Sequence, residues 1–516
     1  MDLKKGSGLA STEDTVAAAL RRAARKFRDR PALIWQDRSW SFYQLDEAAN
    51  NVAAGLLEAG LRMGDRIAVY GRNSDGFLLS WLGCVRAGLV HVPINYGLTG
   101  EELAYIVRQS GARAILCDAD RLTHARALQD VPELAIIGTL ASDGNGDVDV
   151  LTLALRGGGA PPEVAIEGHH LAQIQYTSGT TSAPKGAMMS HRAIVTEYLS
   201  CIHELEFAEG ERCLAALPLY HTAQMHAFTM PQLLAGSTTW LIDGPDPERV
   251  LDLIERHRID SFFAPPTVWV SLLRAPQFDS HDLSSLSKLY YGASIMPQPI
   301  LAEIASRLPN AGLYNCYGQS EMGPVATVLR PNEHAARPSS AGRPVINVET
   351  RVVDENMKDV PPGERGEIVH RSAQLLSGYW QRDDETEAAF RGGWFHSGDI
   401  GVVDEEGYLY VVDRVRDVIN TGGVLVASRE VEDALFGHPA VLEVAVIGVP
   451  HPKWIEAVAA VVALRNGARV EEAELIAYAR ETLAPYKVPK SILFVENLPR
   501  NASGKILKRE LRERFN

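Results

Sequence analysis

The sequence predicts an α/β fold: a large N-terminal domain of βα units with mixed sheets, followed by a small α+β C-terminal domain. Three observations predict it. Helix-like stretches alternate with short apolar runs through residues 40–140 and again from Thr238 to Leu313, the pattern of βα units with mostly parallel strands. The texture changes after Tyr410, where a charged segment gives way to short helices and strands. Finally, 516 residues exceed what one hydrophobic core usually serves.

The first residues, MDLKKGSGLASTEDT, lack an apolar run followed by a small-residue cleavage site. No later stretch reaches the length of a membrane span, so a cytoplasmic protein without an integral membrane segment is expected. Thr15 to Phe27 reads as a helix whose Arg21, Arg22, Arg25 and Lys26 form a solvated face rather than a membrane anchor. YQLDEAANNVAAGLLEAG reads as a helix, RIAVYG and ARAILCD as strands. Gly-rich loops at Asp143–Asp147 and Gly157–Pro162 lead to another strand, LAQIQ. Beyond Tyr410, DRVRD precedes the strand-like EVAVIGV and SILFVE, enough for a domain of roughly 100 residues. The boundaries expected are residues 1–413 for the large domain, 414–416 for a hinge and 417–516 for the small domain.

Composition narrows the function. The 51 basic and 65 acidic residues give a net charge of −14, which argues against nucleic acid as a partner and requires local basic sites for any anionic ligand. Cys84, Cys117, Cys201, Cys213 and Cys316 are odd in number and scattered without a CxxC pair, which suits reduced thiols. No metal-ligand cluster stands out, and the spacing of His221 and His226 puts them on different faces of a helix.

One segment points to chemistry. Tyr176 to Ala187, YTSGTTSAPKGA, packs five Ser/Thr hydroxyls, two glycines and a lysine directly after a strand. Glycine lets backbone N–H groups approach an anion, hydroxyls add donors, and lysine supplies a charge. A Walker A loop would have glycine where Pro184 stands and Ser or Thr where Gly186 stands, so nucleotide handling outside the P-loop fold is expected.

Six further motifs follow: PLYH (Pro218–His221), YGQSE (Tyr317–Glu321), HSGDIG (His396–Gly401), DRVRD (Asp413–Asp417), TGG (Thr421–Gly423) and PRNASGK (Pro499–Lys505). In this order and spacing the chain resembles the acyl-adenylate-forming superfamily of AMP-binding enzymes, which includes acyl-CoA synthetases, 4-coumarate:CoA ligases, luciferases and peptide adenylation domains. The resemblance runs from Tyr176 to Lys505, is nearest the fatty-acyl-CoA synthetase type, and implies that the small domain is a mobile lid.

It also implies roles. A carboxylate must attack the α-phosphate of ATP, and two like charges about 4 Å apart repel by roughly 4 kcal/mol at an effective dielectric near 20. Lys505 matches the lysine that bridges them. Thr177, Ser178, Gly179, Thr180, Thr181 and Lys185 match the holders of the β- and γ-phosphates, with Ser182 where the family usually has glycine. Glu321 matches the magnesium-binding glutamate, and Ser320 replaces the commoner threonine beside it. Tyr317 and Gly318, with Gly292, Ala293 and Ser294, match an adenine slot; Asp399 would accept from both ribose hydroxyls, and Arg414 would donate on the ribose and phosphate side. Arg416 occupies the hinge position. Gly422 and Gly423 would pass the pantetheine arm of coenzyme A, with Tyr486 and Lys487 as further contacts, while Val424 and Leu425 replace a polar pair. ATP, Mg2+ and coenzyme A are the implied cofactors.

The acid remains to be read. PLYHTAQMHAFTM contains no acidic residue to receive a substrate amine, which disfavours amino acids. Met225, Phe228, Trp269 and Met296, with His221 at the border, suggest an apolar pocket for a fatty or aryl carboxylic acid. The expected reaction is ATP-dependent acyl-CoA ligation through acyl-AMP, releasing pyrophosphate and then AMP. The alternatives are acyl transfer to the phosphopantetheine of a separate carrier protein, a luciferase-like oxygenase, and a nucleotide-binding sensor without catalysis. Besides the acid, a carrier protein and a second copy of the chain in a homodimer are the partners left open.

Overall fold

A computed structural model describes residues 14–141, 144–158, 160–177, 183–294, 296–414, 417–421, 424–452, 454–500 and 506–515. Two large sheets dominate. In the first, nine strands run in the order Arg343–Pro344, Val325–Leu329, Gly312–Gly318, Lys288–Gly292, Ser261–Phe263, Arg212–Ala215, Thr238–Leu241, Pro31–Trp35 and Arg38–Ser41. The six strands of the second run Ile136–Thr139, Ala112–Cys117, Arg66–Tyr70, Val90–Ile94, Leu171–Thr177 and Lys185–Ser190. Inner neighbours are parallel, as helical crossovers require. Antiparallel pairs occur at the edges, where short connections reverse the chain, and this makes both sheets mixed.

Local chemistry sets the helices. Ser41 and Gln44 close a reciprocal capping box at the start of helix Phe42–Glu58. The side chain of Thr15 accepts from Ala18 N and caps helix Val16–Phe27. That helix buries Val16, Leu20, Ala23 and Phe27 in the main core and leaves Arg21, Arg22, Arg25 and Lys26 exposed. No helix among the described residues is long and apolar enough to cross a membrane. All five cysteines are buried and none forms a disulfide.

A third sheet, antiparallel, orders Val348–Val353, Gly366–Ser372, Phe395–Val403 and Leu409–Arg414. The fourth contains only residues beyond it: Val424–Val426, Ile419–Thr421, Ile455–Leu464 and Val441–His451, with Ser491–Val495 paired to Ile455–Leu464. Ile419, Val431, Val446, Val458 and Leu475 give this C-terminal unit its own core. The proposed hinge residue Arg416 lies outside the described residues.

Core packing separates the aromatic residues that the sequence groups together. Successive strand residues face opposite sides of a sheet. Phe263 therefore stacks on Phe228, with centroids 4.0 Å apart, while its neighbour Phe262 meets the edge of Trp269 on the other side. Trp269 belongs to a second core cluster, its indole N–H donating to the Tyr290 carbonyl, and it does not join Met225 and Phe228 as expected. Met296 packs in Trp269's cluster.

Candidate active site

The phosphate-type segment is the connection of a β-hairpin. Strands Leu171–Thr177 and Lys185–Ser190 are antiparallel, with Thr177 opposite Lys185, so the lysine opens a strand where a Walker A lysine would open a helix. Ser178, Gly179, Thr180, Thr181 and Ser182 lie outside the described residues.

The turn Ser320–Met322, which follows strand Gly312–Gly318, brings Glu321 to that hairpin. Glu321 is buried, and its Oε1 accepts from Thr177 Oγ1 at 3.1 Å and from the Tyr379 hydroxyl at 3.3 Å. Ser320 Oγ pairs with Thr222 Oγ1 at 3.0 Å. Lys185 Nζ lies 3.0 Å from Glu385 Oε2 and 5.2 Å from the centroid of the Tyr379 ring. One tyrosine thus touches both the loop lysine and the turn carboxylate. Its segment is strapped to the hairpin by the Trp380 N–H donating to the Gly186 carbonyl, 2.8 Å, and the Met188 N–H to the Gly378 carbonyl, 2.9 Å.

A second group assembles beside it. Asp399 and Arg414 face each other across neighbouring strands of the third sheet, with Arg414 Nε 3.1 Å from Asp399 Oδ1. The Tyr317 hydroxyl donates to Asp399 Oδ2 at 2.8 Å. Burial, and then the Asp399 charge, hold the Tyr317 phenol well above its ordinary pKa, so it stays a donor. The turn is aligned with this sheet by Gln319, whose side-chain amide donates to the Ser397 carbonyl at 3.1 Å. Gly292 pairs with Cys316, one residue before Tyr317, and a Cβ there would overlap the Cys316 carbonyl oxygen. At Gly318 a Cβ would overlap the Pro324 carbonyl oxygen. Ala293 and Ser294, exposed at the end of the same strand, complete the predicted slot, and Ala293 takes a left-handed φ of 64°.

His221 precedes the π-helix Ala223–Thr229, in which Met225 and Phe228 are buried. Its buried Nε2 makes no hydrogen bond to the described residues, and burial pulls the imidazole pKa down to about 4, so the ring is neutral near pH 7. His226, inside the π-helix, turns to the core, with Nδ1 2.8 Å from the Tyr198 hydroxyl and Nε2 2.9 Å from Gln173 Oε1.

On the C-terminal unit, Lys487 pairs with Glu430 and lies 5.6 Å from the ring centroid of Tyr486, which is exposed. Val424 and Leu425 are 46% and 58% exposed. Gly422, Gly423 and Lys505 lie outside the described residues. Sequence reading missed Thr222 and Tyr379. Thr222 directly follows PLYH, which was signal enough; for Tyr379 the only cue was an aromatic pair, Tyr379–Trp380, after a glycine.

Residues 20–380 match the model of the AMP-binding enzyme family, and residues 430–505 match that of the AMP-binding enzyme C-terminal domain. A feruloyl-CoA synthase from Amycolatopsis sp is 38% identical over 477 residues, covering 92% of this chain and 94% of the relative. A long-chain-fatty-acid–CoA ligase from Bacillus subtilis (strain 168) is 32% identical, covering 97% and 94%. Among solved structures, ATP-bound MatB from Rhodopseudomonas palustris superposes with a TM-score of 0.89 at 31% identity, covering 97% of this chain and 99% of that one.

Proposed function

The chain belongs to the AMP-binding enzyme family, and from that premise we propose how its residues divide the work of an AMP-forming acyl-CoA ligase and which acid it takes. The reaction uses ATP, Mg2+ and coenzyme A. In the first half a carboxylate oxygen bonds to the α-phosphorus of ATP and pyrophosphate leaves; in the second the thiol sulfur bonds to the acyl carbon, AMP leaves and the thiol proton passes to solvent.

Lys505 stands between carboxylate and α-phosphate, offsetting their repulsion. Thr177 and Lys185, with the hairpin connection, hold the departing pyrophosphate. Glu321 is suited to magnesium, which takes one or two carboxylates and leaves its other positions to phosphate and water. Thr177 and Tyr379 both donate to Oε1, which holds the carboxylate toward the hairpin. Bound there, the ion would neutralise growing charge on the phosphates. Asp399, Tyr317 and Arg414 orient the nucleoside. Arg416 is the hinge about which residues 417–516 turn to exchange Lys505 for Gly422 and Gly423. The single observation that carries this division is the meeting of Thr177, Glu321, Tyr379 and Lys185 at one hairpin mouth.

The acid is apolar, fatty or aryl, and the compact aryl end of that range is favoured. From His221 the π-helix leads inward past Met225 to Phe228, which is stacked on Phe263 and 5.2 Å from the Tyr290 ring. A long alkyl chain would have to break this stack, whereas a short or planar acid would stop above it. The feruloyl-CoA synthase relative supports the aryl reading, and the long-chain-fatty-acid–CoA ligase relative the fatty one. Acid-dependent pyrophosphate release, measured across cinnamic, benzoic and C4 to C16 fatty acids, tests it. Preference for C12 to C16 acids would overturn the aryl assignment.

A second acceptor is favoured by one observation: the exposed apolar pair Val424 and Leu425, beside the thiol-side glycines, offers contact area to a phosphopantetheine carrier protein. Thioester yield with free coenzyme A against a holo-carrier separates the two. A cytoplasmic setting is supported by five reduced, buried cysteines.

A further inference from the structure

We propose that Glu197 and Gln374 act as positioning residues for Glu321, clamping its turn from the core side so that the carboxylate stays aimed at magnesium and phosphate. The proposal rests on the reading of Glu321 given above.

Glu197 lies on the helix His191–Glu204 and is completely buried, although an unneeded carboxyl there would cost stability. Its contacts account for it. Oε1 accepts from the Val325 N–H at 3.1 Å and from Cys201 Sγ at 3.1 Å, and Oε2 accepts from Gln374 Nε2 at 2.6 Å. Gln374, also fully buried, reaches the carbonyls of Met322 at 2.9 Å and Val325 at 2.6 Å with the same nitrogen, while its Oε1 accepts from Ser200 Oγ at 3.0 Å. Three main-chain groups just after Glu321, the carbonyls of residues 322 and 325 and the N–H of 325, therefore end on two buried side chains. Gly323, at φ 101°, brings the turn against the helix, where a Cβ would lie 3.1 Å from Glu197 Cβ. The Glu321 carbonyl accepts from the Leu376 N–H at 2.9 Å, two residues beyond Gln374. On the other side Ser320 is held by Thr222. The side chain of Glu321 points the other way, to Thr177 of the hairpin. Burial pushes the Glu197 carboxyl up to about 8, against the hydrogen bonds from Cys201 and Val325 that favour its charged form.

Outer partners that orient a ligating carboxylate typically change metal affinity about 10- to 100-fold when removed. The test compares E197L, Q374L and E197Q with wild type and E321Q, measuring KM for ATP across a magnesium titration, KM for the acid, kcat and the melting temperature. E197L and Q374L are expected to raise the half-saturating magnesium concentration and the KM for ATP about tenfold, with the acid KM unchanged. E197Q, which keeps the shape but turns one of two accepting oxygens into a donor amide, is expected to fall between wild type and E197L in the same measurements. Should E197L fail to fold, Q374L and E197Q carry the comparison. A lowered melting temperature with unchanged magnesium and ATP dependence would reduce the pair to core packing and overturn the proposal. So would equal rises in the KM values for acid and ATP. If E321Q itself leaves the magnesium dependence unchanged, the reading of Glu321 fails; if E321Q shifts it and the clamp variants do not, the clamp alone fails.

Discussion

At the scale of single residues, each proposed role separates one half-reaction from the other. Lys505→Ala should suppress acyl-AMP formation by about two to three orders of magnitude, the cost of losing a preorganised charge at a transition state. Thioester formation from supplied acyl-AMP should survive, and equal loss in both halves, read by pyrophosphate release and by thioester assay, would refute the assignment. Tyr379→Phe removes a hydroxyl from Glu321 while keeping the ring near Lys185. One such hydrogen bond is worth about 1 kcal/mol, so the KM for ATP should rise roughly fivefold at limiting magnesium. No change at any magnesium concentration would detach Tyr379 from the site. Thr177, Lys185 and Glu321 were legible because each stands in a contiguous motif. Tyr379 was not, since it lies 58 residues from Glu321 and only the folded chain makes them neighbours.

At the scale of elements, close approach governs what the site tolerates. Strands Lys288–Gly292 and Gly312–Gly318 carry the proposed adenine slot, and Gly292 sits where any side chain would press on the Cys316 carbonyl. Gly292→Ala should cost about 1–3 kcal/mol of stability, the range for overpacking, and the loss would register as a lower denaturation midpoint in urea. An unchanged midpoint would mean that the strands part without penalty. The βα alternation, the hairpin strand LAQIQ and the helix from Thr15 all stood in the sequence because local periodicity encodes them. Which side of a sheet a residue faces depends on register, so Trp269 was grouped with Phe228 although Phe262 and Phe263 divide them. The Glu197–Gln374 pair was equally hidden, since a lone glutamate in an amphipathic helix reads as solvated.

At the scale of the whole molecule, burial of ionisable groups sets the response to pH. Burial pulls His91 and His226 down to about 3 and His191, His221 and His370 to about 4. Their unfolded values are near 6.5, so the unfolded chain binds more protons below that pH, and stability should fall as pH drops from about 6.5 toward 4. Glu197 works with the opposite sign: its folded value of about 8 exceeds the unfolded 4.5, so its contribution is full below 4.5 and lost as pH rises to about 8. Melting temperatures from pH 4.5 to 8 should therefore show the acid-side decline in wild type and in E197Q, with a flatter alkaline side in E197Q. An acid-stable protein would contradict the five neutral histidines. The proposed hinge belongs to this scale too. Arg416→Pro should spare adenylation and slow thioester formation, since proline fixes the φ that a rotation must change, and a normal rate from acyl-AMP would move the boundary elsewhere. The pairing of Asp399 with Tyr317 and Arg414 bears on turnover. If the proposed ribose role holds, a ribose arriving there trades hydrogen bonds already made for new ones, and such an exchange yields little net affinity. On the proposed roles, grip on the nucleotide then comes from its phosphates, so AMP, which lacks the β- and γ-phosphates, is expected to be held less tightly than ATP, as suits the product that leaves in the second half-reaction.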